Sequence, residues 1–198
     1  MVHGIVISMF REVRFLMLGA ALGLFPSSTC VSVHAAAADP VVSAAVLPSV
    51  DALLDAKLTD LADRPVSLRG LTGKVVVVVH QDRHSSEQNQ ALKDKLSTLS
   101  ARFPNELKIV ALADVGGYDF WPAKGYVKDA LKSLDSGGGA LVLCDWKGAV
   151  RKAYQLRPKH SVVFVLSKGL ELVSMTKGQL SAADTDRVAQ RIEAELGK

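Results

Sequence analysis

The sequence predicts an α/β domain: a mixed β-sheet with helices on both faces and a β-hairpin at its amino end. Three observations carry this. Val75 to Val79 are consecutive valines, apolar toward both faces as a central strand in a covered sheet must be. Buried apolar runs then alternate with helical stripes in the order β-α-β-α-β-α, the signature of strands joined by crossover helices. Two further apolar runs, residues 161–166 and 171–175, flank Ser167-Lys168-Gly169, the turn of an antiparallel hairpin, and a last helix follows.

Before that domain comes a leader. Residues 15–25 are uniformly apolar or small, follow Arg11 and Arg14, and lead through Pro26 to the tract Ala35 to Ala38. This is the pattern of a secretory signal peptide with an A-x-A cleavage site. The run is too short for a membrane span, which needs about 20 residues. Met9 offers a more compact start. Cys30 lacks the upstream aliphatic residue of a lipoprotein signal, and there is no twin arginine. The expected organisation is a signal peptide at 1–38, a linker at 39–55 rich in Ala, Val, Pro and Ser, and one domain at 56–198. The expected location is the periplasm, with no membrane span after cleavage. The chain carries 24 basic and 20 acidic residues, net +4. Cleavage removes Arg11, Arg14 and Glu12, leaving +3. So mild an excess does not point to nucleic acid. Cleavage also removes Cys30 and leaves Cys144 as the single sulfhydryl, so no internal disulfide is available.

Taken in order, residues 58–68 read as a short hairpin turning at 62–65. The central strand, 74–80, follows. Ser85 with Gln88 three residues on forms a capping box, predicting a helix over 85–103 with Leu92, Leu96, Leu99 and Phe103 on its buried stripe. Residues 107–113 are a second buried strand. The loop after it, 115–122, holds Tyr118, Phe120 and Trp121. A helix over 123–134 presents Val127, Ala130, Leu131 and Leu134 and stops at Gly137-Gly138-Gly139. Residues 140–145 are the third strand, and a short helix runs through 150–154. The closing helix starts at Ser181 and buries Val188, Ile192 and Leu196.

Three blocks carry a family likeness: Val66-Ser67-Leu68-x-x-Leu71-x-Gly73-Lys74-Val75, then Leu143-Cys144-Asp145-Trp146-Lys147-Gly148-Ala149-Val150-x-x-Ala153-Tyr154, then Val163-Phe164-Val165-Leu166-Ser167-Lys168-Gly169. In this order they resemble the thioredoxin-like superfamily of peroxiredoxin and TlpA type, and the last two blocks are most similar to the YtfJ-type periplasmic proteins. The resemblance implies a thioredoxin-like fold. It also implies where redox chemistry would sit: a Cys-x-x-Cys or a peroxidatic cysteine just after the central strand, facing a cis-proline at about Ser161. Here the turn reads Arg83-His84-Ser85-Ser86-Glu87. A hydroxyl has no accessible redox couple, so dithiol exchange is chemically excluded at this turn.

Two function classes stay open. In the first the protein is a non-redox binding or accessory protein, taking a periplasmic protein or peptide and no cofactor. Four loops at one sheet edge would then contribute Asp82 and His84, Tyr118 and Trp121, Asp145 and Trp146, and His160 and Ser161. Such a mix of aromatic faces with a few polar groups suits a binding crevice. In the second it is an enzyme or metal protein, either a single-cysteine redox protein using Cys144 or a metal site drawn from His80, His84 and His160. Lys147, Arg151, Lys152, Arg157 and Lys159 read as a solvated basic face.

Overall fold

A computed structural model describes residues 49–135 and 139–198. The expected signal peptide, residues 39–48 of the expected linker, and Gly137 and Gly138 of the helix stop expected at 137–139 lie outside the described residues. Within them Asp51–Leu54 form a helix, α1, with Leu53 and Leu54 in the core, so a linker running to residue 55 overlaps a packed element. No helix among the described residues is long and apolar enough to cross a membrane.

The hairpin predicted at 58–68 is present as β1 (Leu58–Thr59) and β2 (Pro65–Val66), paired antiparallel. Asp60 closes its turn by accepting from the N–H groups of Ala62 and Arg64. A 3₁₀ turn, Leu68–Leu71, leads into β3 (Val75–Gln81), α2 (Gln90–Arg102), β4 (Leu107–Asp114), α3 (Ala123–Asp135) and β5 (Leu141–Asp145). After α4 (Ala149–Ala153) the chain returns as the antiparallel pair β6 (Val162–Leu166) and β7 (Leu172–Lys177), and α5 (Ala182–Leu196) closes it. Ser181 caps α5 by accepting from Asp184 N–H, so this boundary falls where its side chain predicts.

The seven strands of the described residues form one sheet in the order β2-β1-β5-β4-β3-β6-β7. β3 runs parallel to β4 and antiparallel to β6, so every residue of β3 is covered, as the valine run requires. Strand side chains alternate between faces, and the core divides accordingly. Val76, Val78, Leu112, Leu143 and Phe164 face α1 and α4. Val75, Val77, Ile109 and Val165 face Leu92, Leu96 and Leu99 of α2 and Val188, Ile192 and Leu196 of α5. Further along that second face, Ala113 and Cys144 pack on Leu131 of α3. Helices thus lie on both faces, as the sequence pattern demands.

One element departs from expectation. α2 begins at Gln90, and residues 83–89 form a string of turns. The capping box at Ser85 and Gln88 is not formed: the Ser85 hydroxyl bonds Asp82, and Gln88 reaches across to another loop. Asn89 is left-handed, with φ 60°, which prevents the helix from extending backward.

Candidate functional site

Parallel strands bring their carboxyl ends to one edge of a sheet, and here an aspartate stands at the end of each of the three or directly after it. Asp114 and Asp145 are register partners on β4 and β5, and Asp82 immediately follows β3. By alternation they share a face with His80 and with α4. Each carboxylate organises the loop that leaves its strand. Asp82 Oδ1 accepts from His84 N (2.9 Å), Ser85 N (2.8 Å) and Ser85 Oγ (2.8 Å), and its Oδ2 accepts from Lys159 N (2.7 Å). Burial of Asp82 opposes ionisation, but the N–H groups of Lys159, Ser85 and His84 outweigh it and hold the carboxyl below its ordinary value. Asp145 accepts from Ala149 N and Val150 N, both at 2.9 Å, at the start of α4, where a negative charge also suits the helix dipole. Asp114 Oδ1 accepts from Gly116 N (3.2 Å), and its Oδ2 lies 2.7 Å from Arg151 Nε.

Beside this row sits His80, 3% exposed. Neither ring nitrogen has a hydrogen-bond partner in the protein, and Nε2 is 3.9 Å from Asp114 Oδ2. Burial is the main influence on the ring and keeps its pKa below 6.5; Asp114, Asp145 and Asp82 pull the other way. At neutral pH His80 is therefore an uncharged imidazole among carboxylates.

The turn 83–89 is cross-linked to the entry of β6 and the exit of β7 by side-chain amides. Gln81 Nε2 donates to Ser85 O (2.8 Å) and to Ser161 Oγ (3.2 Å). Gln88 accepts from Ser161 N (2.9 Å) and donates to Lys159 O (2.9 Å). Asn89 donates to Gly178 O (3.0 Å) and accepts from Leu180 N (2.8 Å). Ser85 and Ser86, in the turn where the resemblance would place redox sulfur, are wholly buried. Lys93 Nζ donates to Ser86 O, and burial holds its ammonium down to about 8. The space between this turn and Ser161 is thus filled by the chain's own polar groups.

The sequence-predicted residues divide. His84 and His160 are exposed, as are Tyr118 and Trp121. Asp145, Trp146 and Ser161 face inward instead, because each is bonded within the fold: Trp146 Nε1 donates to Thr59 Oγ1 (3.0 Å), and Lys124 Nζ stands 4.7 Å from the indole. Asp82 holds the turn. The eight residues do share one edge of loops, but they do not line one open crevice. Among the described residues no three His, Cys, Asp or Glu side chains are grouped to hold a metal ion. A site drawn from His80, His84 and His160 therefore has no basis: His80 is enclosed while the other two are exposed. Cys144 lies in β5 opposite Thr59, and burial pushes its thiol up to about 11, which leaves almost no nucleophilic thiolate at neutral pH.

The exposed group is aromatic: Trp121 at 91%, Tyr126 at 73% and Phe120 at 58%, with Tyr118 at the margin. Asp119 ties their loop to Lys147 (2.6 Å) and Lys124 (3.4 Å). An open cavity of about 470 Å³ lies elsewhere, between α2 and α5, and is lined by ion pairs such as Lys95–Asp186. Sequence reasoning missed Asp114 and the partnership of Arg151. A signal for the first was present, since 80–82, 112–114 and 143–145 each end an apolar strand in Asp.

The family described as "Bacterial protein of unknown function (YtfJ_HI0045)" matches residues 54–195. No curated protein matches. Among solved structures the chain is similar to a candidate thiol:disulfide interchange protein DsbE from Chlorobium tepidum (18% identity, TM-score 0.55, 71% of this chain and 92% of that one). It is also similar to peroxiredoxin Q of Xanthomonas campestris (18%, 0.55, 77% and 99%). A third is a secreted disulfide oxidoreductase of Mycobacterium tuberculosis homologous to E. coli DsbE (17%, 0.50, 69% and 92%). At these identities the likeness is one of fold: α/β, thioredoxin-like.

Proposed function

The chain belongs to the YtfJ_HI0045 family, and from that premise we propose that it is an exported, non-redox binding or accessory protein that takes a periplasmic protein or peptide at the aromatic sheet edge. The observation that carries this reading is the exposure of Phe120, Trp121 and Tyr126 on one loop and the helix it leads into. Large aromatics left in water on a rigid scaffold are typical anchors of an interface. The absence of sulfur from the turn 83–89 and the enclosure of Cys144 support the non-redox part.

The test has two arms. Insulin reduction and peroxide consumption should match the no-protein rate; turnover that disappears in Cys144→Ser would promote the single-cysteine reading instead. In the second arm the partner is captured by cross-linking in intact periplasm. Trp121→Ala should lower its affinity roughly thirtyfold, the loss of an anchor worth about 2 kcal/mol, and His84→Ala should weaken it less. The thermal midpoint should hardly move, because a side chain so exposed contributes little to packing. Undiminished capture by Trp121→Ala overturns the assignment of this edge.

A further inference from the structure

One arginine holds two loops of that edge together. Gly116, in the connection from β4 to α3, and Gly148, at the start of α4, both pack against Arg151. A Cβ at Gly148 would stand 2.9 Å from Arg151 Nη2, and one at Gly116 would stand 3.3 Å from the same atom and 3.1 Å from Gly148 N. The guanidinium is fixed there by Asp114 Oδ2 at 2.7 Å. The same oxygen is 3.9 Å from His80 Nε2, so a single carboxylate oxygen stands between a permanent cation and a ring without a partner. The charged groups facing that ring are Asp114 of β4, Asp145 of β5, Asp82 at the end of its own strand and Arg151 of α4. On the β6 side its neighbour is Val162. The three carboxylates favour an added proton, while burial, the largest influence, and the Arg151 guanidinium resist it.

We propose that His80 is an acid-operated latch on the aromatic edge: on taking a proton the ring captures Asp114, and Arg151 releases the loops carrying Gly116 and Gly148. One of the released loops, the connection from β4 to α3, presents Tyr118, Phe120 and Trp121, so partner binding becomes pH-dependent. This rests on the reading that the edge binds a partner, but the latch can be tested without one. Because burial opposes the proton, the transition lies below pH 6.5.

The chain's two tryptophans, Trp121 and Trp146, sit on the two loops that Arg151 joins, so their emission reports the event. Titrating the purified exported protein from pH 8 to pH 4 should give a reversible emission change with a midpoint below 6.5 while far-ultraviolet dichroism stays constant. His80→Gln should abolish that change, and Arg151→Gln should show the acid emission already at pH 7.5. If His80→Gln fails to fold, ring resonances of the parent protein decide: the His80 ring should titrate together with the emission. A transition that survives His80→Gln, that follows another histidine, or that coincides with loss of dichroism overturns the latch. None of these outcomes bears on whether Trp121 anchors a partner, so the two readings fail separately.

Discussion

Asp82, Asp114 and Asp145 each stand where a strand gives way to a loop, and each uses its carboxylate to hold that loop. The sequence marks Asp82 and Asp145 as polar groups at the sheet edge, and they are there. Their carboxylates, however, are engaged by backbone N–H groups of the loops that follow, as buried charges must be. Asp114 escaped notice because its decisive partner, Arg151, lies far along the chain and reads locally as one more surface cation. Cys144 is the reverse case. Its position within an apolar strand already points to burial, and the structure encloses it beneath α3. With the thiol pushed up to about 11, Cys144 should resist a thiol reagent at pH 8 in the native protein and react at least tenfold faster in urea, Cys30 having been removed by cleavage or changed to serine. Equal rates in both states would mean that the sulfur is accessible.

At the scale of the element, strand positions followed from hydrophobic pattern and helix starts from capping chemistry, and the second proved weaker. Ser181 caps α5 as its sequence suggests, whereas Ser85 and Gln88 offer the same local signal and do something else. Their side chains are drawn into bonds with Asp82, Lys159 and Ser161, and long-range polar satisfaction outweighs a cap typically worth about 1 kcal/mol. The start of α4 is another place where backbone geometry and a distant partner meet. Gly148 has φ 60° and lies under the Arg151 guanidinium. Gly148→Ala should therefore lose about 1–2 kcal/mol in urea unfolding, the penalty of a left-handed backbone for a residue with a Cβ, with some added for displacing the guanidinium. Gly125→Ala, within α3 and with nothing inside 4 Å of the new methyl, should be neutral or gain up to about 1 kcal/mol. Equal effects at the two sites would show that the cradle around Arg151 is loose.

For the whole molecule, the fold was readable because its largest features are the simplest ones. An all-valine strand must be central, and crossover helices must flank a parallel sheet, which leaves few arrangements. The candidate site was readable only as an edge, since which edge residues face water is decided by bonds between loops that no local pattern records. The expected leader belongs to this scale too. Mass spectrometry of protein recovered from cells should find a new amino terminus between Ala36 and Asp39, as the small-residue tract predicts. Full-length protein retained in the cytosol would remove both the signal peptide and the proposed location. The amide cross-links at residues 83–89 also govern the order of events in synthesis. Gln81, Gln88 and Asn89 close onto Ser161, Lys159, Gly178 and Leu180, groups that do not exist until nearly all of the chain has been made. A nascent polypeptide can therefore pair β3 with β4 early, but the turn beyond β3 stays unclosed until only α5 remains to be added.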